Sequence, residues 1–324
     1  MATINDVAEK AGLSVTTVSR VLNNRGYISE KTRQKVYKIM EELDYQPNEI
    51  ARSLLRKRSN VLGLIIPSVS HPFFGQFANA VEYYAYERGF KLLLCNSLQD
   101  PKKERDYIEM MKRHRVDGII MGSHTLEVEE YKNLNHPIVT LDRKIDDIPY
   151  VSSDNERGGE LAAELLIEKG CRHLAHICGN LQLDMLSNLR TDGFLRAVKR
   201  HGVESVTLQT SMNVFDQQEY ERIVQQMFAD YPGIDGVFAT SDIIAAFVMK
   251  SCHKLGKKVP EEIKVVGYDD VNAASWVSPE LSSIRQPIED MGKLAVELIL
   301  KQLDGEPFEK NNVLPVTLVE RETT

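Results

Sequence analysis

Cysteine and tryptophan are scarce in this 324-residue chain, at four and one respectively. Cys95, Cys171, Cys178 and Cys252 form no CxxC pair and no dense framework. That excludes a disulfide-built scaffold and suits reduced, buried thiols. Cys171, His173, His176 and Cys178 cluster as metal ligands do, but alternation along a strand sends the first two one way and the last two the other, so no metal is expected. No apolar run is long enough to cross a bilayer. Residues 1–20 lack the basic start, apolar centre and small-residue cleavage site of a secretory leader, so the expectation is a soluble, cytoplasmic protein without membrane contact. GxSxG, HExxH, Walker and GxGxxG motifs are also missing. Asp269 and Asp270, adjacent on an apolar run, would point apart rather than act as an acid and base pair. Neither an enzyme nor a cofactor is expected.

What is present is an ordinary globular composition, 42% hydrophobic and 27% charged, on a chain long enough for two or three folding units and an interior able to enclose a small ligand. The net charge of −7 is unevenly spread. Residues 1–60 carry 11 Lys or Arg against 7 Asp or Glu, and the remainder 29 against 40. Only the N-terminal segment suits a polyanion.

The segment from Thr3 to about Leu43 is helical and strand-free in pattern. Ile4, Val7, Ala8 and Ala11 recur at i, i+3, i+4, i+7 and paint an apolar stripe on a first helix. Thr3 with Asp6 three residues on resembles a capping box. Gly12 permits a sharp turn, and Ser14 is placed to cap a second helix that turns Val18, Val21 and Leu22 inward. A third helix, about Glu30 to Leu43, buries Val36, Ile39, Met40 and Leu43. After Tyr45-Gln46-Pro47-Asn48, a stop followed by a cap, Glu49 to Arg56 reads as a short helix ending in the basic run Arg56-Lys57-Arg58.

Beyond Asn60 apolar runs alternate with amphipathic helices. The runs are 61–67, 90–97, 116–123 and 138–143, and again 173–179, 205–210, 236–241 and 263–270. This predicts an α/β module of two lobes, each a parallel doubly wound sheet, with a ligand cleft at the carboxyl ends of the strands.

The first two helices have the parts of a helix-turn-helix: a helix to cross the backbone, a tight turn, and a second helix with a polar outer face. Arg20 on that face can take a guanine bidentately, and Val15 and Thr16 lie in the first turn nearest base edges. Thr3, Ser14, Thr17, Ser19, Asn23, Tyr27 and Asn48 are donors suited to phosphate oxygens, although the hydroxyls equally serve to cap and solvate the helices. Ala51 and Leu54 share a face flanked by Arg52, Arg56, Lys57 and Arg58. An apolar wedge amid phosphate-seeking charge fits minor-groove insertion. A linker helix packed on the core is the alternative, which the basic run disfavours.

The opening TINDVAEKAGLSVTTVSRVLNN, the stretch YQPNEIARSLLRKRS, and later VGYDD and SIRQP together resemble the lactose-repressor (LacI/GalR) family of transcription regulators, over the chain from Thr3 to near Arg321. The resemblance implies a homodimer on a near-palindromic double-stranded operator, base reading by Val15, Thr16 and Arg20, a Leu54 lever from each hinge, and a periplasmic-binding-protein-like effector module. Leu55 departs from members with a polar or basic residue there. The organisation expected is a headpiece at 1–46, a hinge helix and linker at 47–59, and an effector and dimerisation module at 60–324. Its first lobe takes about 60–154 with 287–313, and its second about 155–286 with 314–324.

The resemblance matches Arg190, in RTDGF, to the family's effector-clamping arginine and Asp269 to its cleft aspartate. Asp142 and Asp269 end apolar runs and so face the cleft, and Asp242, read as capping the next helix, is counted with them among the effector-binding residues. Carboxylates and guanidinium pair well with the vicinal hydroxyls of a small carbohydrate. Phe74, Phe77, Phe215 and Trp276 are candidate apolar platforms, with Phe77 alternatively core or, with Tyr83 and Tyr84, dimer seam. His71, in SVSHPFF, is a ligand contact or a turn residue. LDR, VSSDN, MGKLA and PVTLVER are similar to Gram-positive members governing sucrose and ribose operons, which places sucrose ahead of ribose. A sugar phosphate is the other effector expected, with Arg143 joining Arg190. The alternative within the family is a global carbon-status regulator whose corepressor is a phosphorylated carrier protein.

Overall fold

A computed structural model of the chain describes residues 2–46, 58–134, 136–182, 184–211 and 216–324. The chain divides into two compact units, residues 1–59 and 60–324. Among the described residues no helix is long and apolar enough to cross a membrane.

The first unit is built from α1 (Ile4–Ala11), α2 (Val15–Leu22) and α3 (Glu30–Glu42). Its core is small: Val7, Ala8 and Ala11 of α1 pack with Val18 and Val21 of α2 and Val36 and Ile39 of α3. With so little apolar area, the helix ends carry unusual weight. Thr3 and Asp6 form the reciprocal capping box, with the Thr3 amide donating to Asp6 Oδ2 at 2.7 Å. Ser14 Oγ accepts from the Thr17 amide at 3.1 Å, and Ser29 caps α3 in the same way at 3.3 Å. Gly12, at φ +62, ends α1 in the left-handed region that admits the sharp turn into α2.

The second unit contains two six-stranded sheets. The strands are β1 (Val61–Ile66), β2 (Lys91–Asn96), β3 (Gly118–Met121), β4 (Ile138–Leu141), β5 (Tyr150–Ser153), β6 (His173–Cys178), β7 (Glu204–Gln209), β8 (Gly236–Ala239), β9 (Lys264–Asp269), β10 (Ser282–Arg285), β11 (Asn311–Leu314) and β12 (Thr317–Val319). Their orders are β11-β5-β4-β3-β1-β2 and β12-β10-β9-β8-β6-β7. All pairings are parallel except the β10–β12 edge. Helices α4 (Pro72–Glu87), α5 (Pro101–Arg113), α6 (Val128–Lys132) and α11 (Ile288–Asp304) accompany the first sheet. Helices α7 (Asn155–Glu168), α8 (Leu189–His201), α9 (Gln217–Asp230) and α10 (Asp242–Leu255) accompany the second. The central strands are buried along nearly their whole length, as parallel strands covered on both faces must be.

The chain therefore passes between lobes three times: after β5, after β10 and after β11. The crossings are bonded to one another. The Asp154 amide donates to the Leu314 carbonyl at 2.8 Å, and Ser153 Oγ to Gln286 Oε1 at 2.7 Å. The proposed shared face of Cys171 and His173 does not exist. Cys171 precedes β6 and is buried, whereas His173 is the exposed first residue of that strand. Strands β5, β10 and β11 lie outside the apolar runs, because they are serine- and asparagine-rich and hold their places by ladder pairing.

Helices α7 and α8 cross with their backbones almost touching. A methyl group on Gly159 would lie 1.9 Å from the Arg190 carbonyl oxygen, and one on Gly193 would lie 1.9 Å from that of Glu156. Neither neighbour can rotate away, since both are backbone atoms. Gly159→Ala or Gly193→Ala is therefore expected to force the helices apart and lower stability by about 1–3 kcal/mol, read as a drop in melting temperature of several degrees. An unchanged melting temperature would contradict the close crossing.

Candidate ligand cleft and nucleic-acid surface

A cavity of about 360 Å³ opens between the lobes, lined from the first by His71, Phe74 and Asp142 and from the second by Arg190, Thr240 and Asp269. The two aspartates arrive by the same device. Asp142 follows β4 and Asp269 ends β9, the third strand in each sheet order. Both adopt positive φ, +55 and +105, which side chains other than those of glycine, asparagine and aspartate seldom accept.

Each carboxylate uses Oδ1 within the protein. Asp142 Oδ1 accepts from Ser152 Oγ at 2.5 Å and Asn155 Nδ2 at 3.2 Å, and Asp269 Oδ1 accepts from Gln286 Nε2 at 2.7 Å. Among the described residues nothing donates to either Oδ2. Arg190 is locked between them. Its Nε donates to Asn155 Oδ1 at 2.6 Å, one terminal nitrogen donates to the Thr240 carbonyl at 2.9 Å, and its guanidinium carbon lies 3.7 Å from the Tyr268 ring centroid. Tyr268 is buried and its phenol is pushed up to about 12. Burial raises Asp269 to about 7, against the opposing pull of Arg190 and Gln286. His71 falls to about 4 through burial and the charge of Arg190, so its ring is neutral at pH 7.

Four expectations need correction. Asp242 is buried behind the cavity and does not line it. Ser241 caps α10, and Asp242, as its first residue, turns back to accept from Ser283 Oγ at 2.5 Å and the Val271 amide at 2.8 Å. Burial and the charge of Asp269 raise its carboxyl well above the ordinary range. Phe77 is core: it stacks on Phe73, with ring centroids 6.4 Å apart, on the inward face of α4, so it can serve neither as a platform nor as a dimer seam. Trp276 is 76% exposed and lies off the cavity. Arg143 does not join Arg190, because its guanidinium donates to the carbonyls of His124 and Leu126, both at 3.3 Å. Phe215 lies outside the described residues, as do Asn48, Ala51 and Leu54. His71, Phe74, Asp142, Arg190 and Asp269 are brought together. Gln286, inside the quoted SIRQP segment, and Gln99 and Asn180 also line the cavity, and sequence reasoning did not assign them to it.

In the first unit, Val15, Thr16 and Arg20 form an exposed face of α2 opposite the buried Val18 and Val21. Tyr27 is fully exposed in the turn before α3. The smaller polar groups are partly occupied within the unit. Thr3 is held by Asp6, the Ser14 and Thr17 hydroxyls lie 2.9 Å apart, and Asn23 donates to the Ser19 carbonyl at 2.8 Å.

A carboxyl whose folded pKa stands near 7 stabilises the fold while protonated, and that stabilisation is lost as pH rises from about 4 through about 7. Asp269→Asn is thus expected to melt higher than the unsubstituted protein at pH 8, with the gap closing toward pH 4. A gap of the opposite sign at pH 8 would show that the charged form is the favoured one.

Residues 3–48 match the family described as bacterial regulatory proteins, lacI family, and residues 163–324 match a periplasmic binding protein-like domain. The chain is 39% identical to the ribose operon repressor of Halalkalibacterium halodurans, over 100% of its own length and 97% of the relative's. It is also 39% identical to the sucrose operon repressor of Streptococcus mutans, over 100% and 99%. A lac repressor dimer bound to operator and an anti-inducer superimposes with a TM-score of 0.87 at 27% identity, covering 99% of this chain and 98% of that one. A regulator from Alkaliphilus metalliredigens complexed with D-xylulofuranose gives 0.74 at 35% identity, over 82% and 99%. The chain belongs to the lacI family of bacterial regulatory proteins.

Proposed function

We propose that this protein is a homodimeric repressor of a carbohydrate-utilisation operon, working in the cytoplasm, whose grip on operator DNA is set by a small neutral sugar in the interlobe cavity. It reads bases through Val15, Thr16 and Arg20, with Leu54 of each hinge as a minor-groove lever. The observation that carries the effector reading is the cavity's charge. Two carboxylates face one guanidinium, and Arg143 is committed to backbone carbonyls. Above about pH 7, where Asp269 is ionised, that set is net negative and rich in acceptors for sugar hydroxyls, and among the described lining residues it offers a phosphate no second Lys or Arg. The cavity, at about 360 Å³, has room for a monosaccharide or a disaccharide, so its volume does not choose between ribose and sucrose. Ribose and sucrose operon repressors stand at the same 39% identity among the relatives, and it is the complex with D-xylulofuranose, at 35% identity, that puts ribose or xylulose ahead of sucrose here, the reverse of the order drawn from sequence.

Melting the protein against D-ribose, D-xylulose, sucrose and ribose 5-phosphate tests this. A true ligand at one hundred times its Kd adds about 2.7 kcal/mol of stability. A neutral monosaccharide is expected to raise the melting temperature most, and Arg190→Ala to weaken it by about 10- to 100-fold. The largest shift with ribose 5-phosphate would overturn the neutral-sugar reading. Release of a labelled operator fragment by sugar alone separates this mechanism from one needing a phosphorylated carrier protein.

Sugar affinity is expected to fall as pH drops below about 7, because ligand hydroxyls donate to the ionised form of Asp269. Isothermal titration from pH 5.5 to 8.5 would show it, and a flat profile would contradict it. In the headpiece, Arg20→Ala should reduce operator affinity by about 1–3 kcal/mol and relax base preference at one position. A loss equal for operator and random DNA in gel shifts would demote Arg20 to a phosphate contact.

A further inference from the structure

The cavity's charged groups are all held by side chains of the interlobe crossings, and one of those holders lies behind the cavity wall. Asn155 follows the first crossing, is 1% exposed and does not line the cavity. Its Nδ2 donates to Asp142 Oδ1 at 3.2 Å and to Ser152 Oγ at 3.0 Å. Its Oδ1 accepts from Arg190 Nε at 2.6 Å and, more weakly, from Tyr268 Oη and Ser153 Oγ at 3.3 and 3.4 Å. The amide therefore joins the first lobe's carboxylate to the second lobe's guanidinium, with its donor end on the anion and its acceptor end on the cation. The amide does this with two separate atoms, Nδ2 toward the anion and Oδ1 toward the cation; a hydroxyl puts donor and acceptor on one oxygen and spans less, a carboxylate would repel Asp142, and an aliphatic group would leave buried charges unheld. The second crossing repeats the scheme. Gln286 donates to Asp269 and accepts from Ser153, so the two crossings are wired to each other as well as to the cavity.

We infer that Asn155 is a positioning residue for effector binding, presetting the spacing of Asp142 and Arg190 across the hinge so that a ligand meets both in register. This rests on the reading of the cavity as a sugar site. Groups fixed before the ligand arrives need no reorganisation when it binds, and that advantage disappears when the holder is removed. The charged and titratable groups that face Asn155 are Asp142, Arg190 and Tyr268, with Asp269 reached through Gln286 and Ser153.

Titration of D-ribose, D-xylulose and sucrose into the full-length protein, Asn155→Ser and the isosteric Asn155→Asp decides the matter, alongside melting curves and operator binding without sugar. Both variants are expected to bind the preferred sugar about 10- to 100-fold more weakly with operator affinity unchanged, Asn155→Ser melting within a few degrees of the unsubstituted protein and Asn155→Asp melting lower at pH 8, where its carboxylate faces Asp142. In Asn155→Asp the loss should shrink on acidification, because a protonated carboxyl regains the donor that Asp142 needs, so its pH profile flattens or runs opposite to that of the unsubstituted protein. Unchanged sugar affinity in Asn155→Ser would overturn the role of Asn155. So would collapse of melting and operator binding in both variants, which would make it a folding residue. Unsubstituted protein that takes up none of the three sugars would instead remove the effector reading itself.

Discussion

One guanidinium facing two carboxylates, all three buried in the wall of an open cleft, is the arrangement on which the effector module turns. Buried ionic groups seldom repay their desolvation in stability, so a net-negative set of three is weak evidence of a stabilising device and better evidence of a binding one. Its members are held by neutral amides, Asn155 and Gln286, rather than by further charge. The carboxylates emerge from equivalent strands of two similarly ordered sheets, and both need a left-handed backbone to face the cleft. The duplicated lobe thus brings two acids to face each other, and the close α7–α8 crossing at Gly159 and Gly193 sets the arginine between them.

The headpiece follows a different logic. Among the described residues its core is seven buried side chains with seven partly buried ones around them, small enough to leave stability dependent on caps, and those caps occupy several of the hydroxyls that otherwise suit phosphate contact. What stays available on α2 is the Val15, Thr16 and Arg20 face, with Tyr27 beyond it. A binding surface of so few side chains suits a symmetric pair reading two half-sites, where each copy contributes modestly and the duplex joins the contributions.

Much of this was legible in the residues. Period 3.6 with Thr3, Gly12 and Ser14 marked the helix-turn-helix, and apolar runs marked the central strands. Strands β5, β10 and β11 were not, because Tyr150-Val151-Ser152-Ser153 and its counterparts carry no apolar run; the buried hydroxyls of Ser152, Ser153 and Ser283 donate to Asp142, Gln286 and Asp242. Asp142 and Asp269 could be read as strand ends, whereas the positive φ that aims them could not. Asp242 was misread by a single position, since Ser-Asp at a helix start does not show which residue caps. For Phe77 the core alternative holds and the platform assignment does not, because helical spacing places it with Phe73 inside and leaves Phe74 on the cavity. Asn155 escaped notice because its partners sit 13 and 35 residues away.

The account's central claim is that sugar in the cavity and operator on the headpiece are energetically coupled, and coupling of this kind is reciprocal. The most direct test is a thermodynamic square: operator affinity with and without saturating D-ribose, or whichever sugar binds, and sugar affinity with and without saturating operator. The account predicts that both ratios change by the same factor, roughly 5- to 150-fold. Sugar binding that is tight yet indifferent to operator, in a protein that holds its operator unchanged, would contradict it.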